Sequence, residues 1–130
     1  MPLEPGLVAA AEHVVGPADL ATALGSGTVE VLSTPRLLAW VEAACMRALD
    51  GHLESGETSV GMRAQFDHVA PSVVGATVHA TTELERVDGR RLTFLVTAAD
   101  ARGEIANGRL TRVIVDSDRF IERARAEPDS

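Results

Sequence analysis

Three side chains that can move a proton or attack a carbonyl fall in two short segments. Thr34 and Glu42 lie eight residues apart in STPRLLAWVEAACMRALDGHL (residues 33–53), and His68 sits in AQFDHVAPSVVG (residues 64–75). A hydroxyl, an imidazole and a carboxylate brought together supply a nucleophile, a base that titrates near neutrality, and a group that orients that base and raises its basicity. Each residue also has a plainer explanation. At about 100° per residue, Leu37, Ala48, Val41, Cys45, Leu38 and Leu49 form one continuous arc, and Glu42 stands about 20° beyond Leu49, at its rim. A carboxylate in that position also snorkels into water or pairs with a nearby arginine. A histidine at a strand end is equally a packed or surface residue without chemistry. Spacing alone leaves both explanations open, because three scattered polar residues can be chosen from almost any chain.

The elements that must position these residues follow from periodicity. The segment around Glu42 reads as one long helix, with Thr34 as N-cap, Pro35 at the first helical position, where its missing N–H costs nothing, and Gly51 as the stop. Before it, AEHVVGPADLATALGSGTVEVL (residues 11–32) predicts a first strand at His13 to Val15, a short helical turn after Pro17, and a flexible lead-in through Gly25-Ser26-Gly27. From Thr58 onward the period is two. Val78, Ala80, Thr82 and Leu84 point one way, and Thr77, His79, Thr81, Glu83 and Glu85 the other, as in a strand with one wet face. Asp88-Gly89 supplies a hairpin turn with positive φ at both central positions, after which Leu92, Phe94, Val96 and Ala98 resume the alternation. A second turn spans Asp100 to Gly103. In EIANGRLTRVIVD (residues 104–116) the alternation slips at Asn107-Gly108, which predicts a bulge before Val113 and Val115. The charged tail, about 117–130, reads as a loose C-terminal helix. One substantial helix and a run of long antiparallel strands imply an α+β domain whose sheet wraps around that helix.

Composition narrows the function classes. At 130 residues, 45% hydrophobic and 24% charged, the whole of 1–130 is expected to be one domain. No apolar run reaches about 18 residues and no basic-then-apolar leader precedes the first charges, so a soluble, cytoplasmic protein with no membrane partner is expected. Cys45 is the single cysteine and falls on the apolar side of the helix. It allows neither an internal disulfide nor a multi-cysteine metal site, and no metal is expected. A net charge of −7 argues against a nucleic-acid partner. All twelve basic residues are arginine. A pair such as Arg90-Arg91 either grips a phosphate-bearing molecule through its guanidinium forks or is solvated surface.

Three stretches, TPRLLAWVEAACMRAL, VGMRAQFDHVAPSVVGATVHATTELERVDGRRLTFLVTAAD and IANGRLTRVIV, together resemble the fluoroacetyl-CoA thioesterase-like family of single-domain hotdog proteins. The glutamate-bearing helix, the His-x-Ala-Pro step and the Gly-Arg-Arg-Leu hairpin occur in the family's order, from about Thr34 to about Val115. The resemblance implies a hotdog fold, a long central helix wrapped by an antiparallel sheet, assembled as a homodimer with active sites near the subunit interface. It also implies hydrolysis of acyl-CoA thioesters, with coenzyme A entering as part of the substrate and no separate cofactor. The family's catalytic threonine, glutamate and histidine fall on Thr34, Glu42 and His68, and its oxyanion-binding glycine on Gly61. Arg112 matches a late-strand arginine. Arg63, Arg90, Arg91 and Arg109 are the candidates for holding the nucleotide end. Direct attack by Thr34, and a water positioned by Thr34 and activated by His68, both remain open routes. This sequence departs from the family's pattern in two places: Ala106 and Leu110 stand where relatives often carry glycine and histidine, and the compact lead-in lacks the longer, phenylalanine-bearing segment that lids the acyl pocket of the fluoroacetyl-CoA enzyme. The class rival is a non-catalytic module that binds acyl-CoA without turning it over.

Overall fold

Residues 3–128 are described by the computed structural model. The chain runs β1 (Val8–Val14), a 3-10 turn (Pro17–Asp19), α1 (Ala21–Leu24), α2 (Thr34–Leu49), β2 (Glu57–His68), β3 (Thr77–Asp88), β4 (Arg91–Asp100), β5 (Gly103–Asp116) and α3 (Ser117–Arg125). All five strands are antiparallel in one sheet of order β1-β3-β4-β5-β2, so β2 is an edge.

The predicted alternation decides which face is covered. Val78, Ala80, Thr82 and Leu84 of β3 and Leu92, Phe94, Val96 and Ala98 of β4 are all buried. Against them α2 lays Leu37, Trp40, Val41, Ala44, Cys45, Ala48 and Leu49, packing chiefly on β3 and β1. Each large apolar side chain fully buried this way contributes about 1.5–3 kcal/mol. Thr82 is polar on the inner face, and its hydroxyl is satisfied there by the Leu95 carbonyl and the Cys45 thiol, each at 3.3 Å. Burial pushes the Cys45 thiol up to about 11, so it sits in the core as a neutral group.

Four local expectations are corrected. Ser33, not Thr34, caps α2: Ser33 is extended (φ −74°, ψ 148°) and its Oγ accepts from the Arg36 N–H at 3.1 Å, which leaves Thr34 as the first helical residue with its hydroxyl uncommitted to the helix. The β3–β4 loop is Gly89-Arg90, because Asp88 pairs with Arg91, and only Gly89 takes positive φ (+62°). The bulge in β5 is at Ile105, which lies between the pairs Ala98–Ala106 and Ala99–Glu104. Further bulges, which the pattern did not signal, sit at Met62 in β2 and Glu85 in β3. β1 starts well before His13, because Ala9, Ala10 and Ala11 carry no apolar–polar contrast by which alternation is read. The tail does form a helix, capped by Asp116 and with no buried residue. Among the described residues no helix is long and apolar enough to cross a membrane.

Gly108 has a packing role instead of a bulge. A Cβ there would collide with the Gln65 carbonyl oxygen and come within 2.9 Å of Phe66 Cα, both backbone atoms of the neighbouring β2. Gly108→Ala is therefore expected to cost about 2 kcal/mol or more and to lower the thermal midpoint by several degrees in a calorimetric scan.

His13 of β1 lies flat on Trp40 of α2, ring centroids 4.5 Å apart and 3° from parallel, with its Nε2 buried and unpartnered among the described residues. Burial, assisted by the nearby Arg47 and opposed by Asp19, lowers its pKa. The sign follows: a depressed histidine pKa gives stability that is present above the unfolded value of about 6.5 and is lost as pH falls through the folded value. Thermal midpoints should thus fall between pH 7.5 and pH 5, and less steeply in His13→Phe, which keeps the stack without the titration.

Candidate active site

Thr34 is carried by the first turn of α2 and His68 by the last position of β2, and the fold brings them together: Thr34 Oγ1 lies 2.8 Å from His68 Nδ1. With Nδ1 unprotonated, the hydroxyl donates to the imidazole, which is the arrangement of an alcohol beside its base. Burial lowers the His68 pKa, against a smaller raising contribution from the Ala70 backbone, so the ring is held neutral and able to accept. Its other nitrogen, Nε2, is buried without a partner among the described residues. A cavity of about 300 Å³ opens beside the pair, walled by the lead-in before α2 and the Val69-Ala70-Pro71 step.

Glu42 belongs to a second cluster. Arg112, inward-facing on β5 and only 6% exposed, donates from Nη1 to Glu42 Oε2 at 2.8 Å, from Nε to Ser59 Oγ at 2.9 Å and from Nη2 to the Ser59 carbonyl at 3.0 Å. Its Nη2 also lies 3.3 Å from the Met46 sulfur. The carboxylate rests over Gly61: a Cβ at that position would be 2.7 Å from Glu42 Oε2. Within one chain the pairing observed is therefore Glu42 with arginine, and His68 with threonine. Helix geometry explains the separation, since eight residues of α2 advance about 12 Å. No sequence signal marks Ser59, whose role comes entirely from strand pairing that sets it opposite Ile114 and next to Arg112.

The two clusters nonetheless face the same side. Gly61 pairs with Arg112 and His68 with Ala106, six residues apart on β5 and both buried on the inner face. Gly61 and His68 are seven apart on β2, a separation that would put them on opposite faces of a regular strand. The extra residue at Met62 restores the parity. Residues 61–65 are exposed even where they face inward, because α2 lies over β1 and β3 and leaves a cleft along β2.

The remaining arginines are distributed unevenly. Arg63 is exposed at the rim of this cleft and, paired with Thr111, belongs to the outer face of the sheet. Arg109 is held by both oxygens of Glu85 at 3.0 and 3.3 Å, and Arg90 at the β3–β4 hairpin by Glu57 and the Ile114 carbonyl. Arg91 is exposed and opposite Val113, on the outer face of the sheet.

Comparison with known proteins bears on the family and the fold. The family model described as fluoroacetyl-CoA-specific thioesterase matches residues 15–118. The chain is 38% identical over 96 residues to the fluoroacetyl-CoA thioesterase of Streptantibioticus cattleyicolor, a match covering 74% of this chain and 69% of that protein. A solved structure of fluoroacetyl-CoA thioesterase superposes with a TM-score of 0.93 at 30% identity, covering 99% of this chain and 100% of the other. A hot-dog-like protein from Thermanaerovibrio acidaminovorans superposes with a TM-score of 0.86 at 29% identity, over 96% and 94% of the two chains. A thioesterase superfamily member from Thermus thermophilus gives 0.83 at 27% identity, over 97% and 98%. The five-stranded antiparallel sheet around one long helix is the hotdog fold, and the chain belongs to the fluoroacetyl-CoA-specific thioesterase family.

Proposed function

We propose that the protein hydrolyses an acyl-CoA thioester to the free acid and the thiol, as a cytoplasmic homodimer whose active sites combine both clusters. The observation that carries this is the 2.8 Å contact between Thr34 Oγ1 and His68 Nδ1 at the mouth of a cavity. Thr34 attacks the thioester carbonyl while His68 takes the hydroxyl proton. The tetrahedral intermediate collapses with cleavage of the C–S bond, and His68 returns the proton to the leaving thiolate. Water, deprotonated by the same imidazole, then releases the acid from the Thr34 ester.

The second cluster enters across the interface. β2 is an edge strand of twelve residues with an exposed middle, a row of backbone donors and acceptors suited to a second copy. Antiparallel pairing of two such edges about residues 63–65 sets His68 of one subunit opposite Gly61 of the partner subunit, on the same face. A two-fold axis then makes two equivalent sites. Each has Thr34 and His68 from one chain and Glu42, Gly61 and Arg112 from the other. There the Gly61 N–H faces the developing oxyanion, a donor worth about 3 kcal/mol in the transition state. Arg112 fixes the Glu42 carboxylate, and Arg63, exposed at the rim of the cleft, is a guanidinium open to a phosphate of coenzyme A.

His68→Ala and Thr34→Ala are each expected to lower kcat/KM for thiol release by about 10²–10⁴ with the fold retained. Acyl-CoA binding without turnover by the wild-type protein would instead indicate a binding module. Because burial depresses the His68 pKa, kcat/KM should hold as pH falls to about 6.5 and decline only below it, where the base becomes protonated. Mixing inactive His68→Ala chains with inactive Glu42→Ala chains should restore about a quarter of wild-type turnover, since half the dimers are mixed and each holds one intact site. No recovery after verified subunit exchange would place the full site within one chain.

A further inference from the structure

The cavity beside Thr34 and His68 is larger than a two-carbon acyl group requires. Its volume of about 300 Å³ is room for about ten water-sized groups, whereas an acetyl or fluoroacetyl unit fills a small part of it. Its apolar wall is Val31, Leu32, Pro35, Val69, Ala70 and Pro71, and among the described residues no Phe, Tyr or Trp side chain lines it. The wall continues into a second cavity of about 170 Å³ that shares Val31 and Pro71. The rim is apolar as well: Val69 is 59% exposed and Val73, at the second cavity, 61%. Apolar surface left in water around a concave site marks a place where an apolar ligand is received.

From these features we infer that the acyl pocket takes an aliphatic acyl chain longer than two carbons, because the space beside Thr34 and His68 exceeds what an acetyl unit fills and its wall is apolar. The inference rests on the hydrolase assignment above and names its substrate class. The acyl carbon bonded to Thr34 Oγ1 sits at the cavity mouth, and each further methylene leaves water for the Val31–Pro71 wall. Burying a methylene is worth about fourfold in binding, which appears in kcat/KM where the transition state keeps the contact.

The test is thiol release by the purified protein with acetyl-, fluoroacetyl-, butanoyl-, hexanoyl- and octanoyl-CoA, beside Val31→Phe and Val69→Phe. Val69 is largely exposed, so its variant is expected to fold even where Val31→Phe does not. The expected result is a kcat/KM for hexanoyl-CoA at least tenfold above that for acetyl-CoA. Either filling variant should reduce the hexanoyl value tenfold or more and the acetyl value by less than threefold. A maximum at acetyl- or fluoroacetyl-CoA would overturn the inference while leaving hydrolysis in place. An equal loss for every chain length in the variants would also overturn it, assigning the cavity to the invariant carrier arm. Absence of turnover with all five thioesters would overturn the hydrolase assignment together with the inference.

Discussion

A guanidinium group that is almost fully enclosed has to be satisfied where it stands, and Arg112 imposes that requirement on three elements at once. Removing an ion from water costs several kcal/mol even after relaxation, and only close, well-aligned partners offset it. The partners here are a carboxylate from α2 and a hydroxyl and a carbonyl from β2, all within 3.0 Å. The helix is thereby tied to the edge strand at Glu42, on the side where its apolar stripe makes little contact. Gly61 follows from the same constraint, because the carboxylate that meets Arg112 occupies the space where a side chain on β2 would begin.

The extra residue at Met62 then decides what β2 can present. A regular strand would turn either Gly61 or His68 away from α2. With the bulge both face the cleft, and the bulge lies next to the residue that the Arg112 network holds. Bulges occur beside active sites because they re-aim side chains without breaking the sheet. The uncovered inner face from Gly61 to Gln65 is the counterpart of a helix centred on β1 and β3: the core is completed over four strands, and the fifth is left with one side of a cleft.

The proposed chemistry depends on a division of labour at the start of α2. Ser33 takes the capping role that residue types alone assign to Thr34, and so the threonine hydroxyl is free to meet His68. The imidazole is desolvated enough to stay neutral and lies where the β2 strand ends. Two adjacent hydroxyl residues thus perform different tasks because only the first has extended backbone angles.

Much of this was legible from the sequence alone. The long amphipathic helix, the inward sets Val78 to Leu84 and Leu92 to Ala98, the turn at Asp100–Gly103 and Glu42 at the rim of the buried stripe all follow from local periodicity, which the chain carries in consecutive residues. Thr34, His68 and Gly61 became candidate site residues through resemblance, since spacing could not separate them from ordinary core and surface residues. Tertiary structure decided the rest. The partner of Glu42 is 70 positions away and that of Thr34 is 34, while Ser59 joins Arg112 across 53 positions. Strand order, register and a single inserted residue determine which of those distant groups meet. None of the three leaves a periodic trace, because pairing energy is set between segments whose local patterns are compatible with several registers.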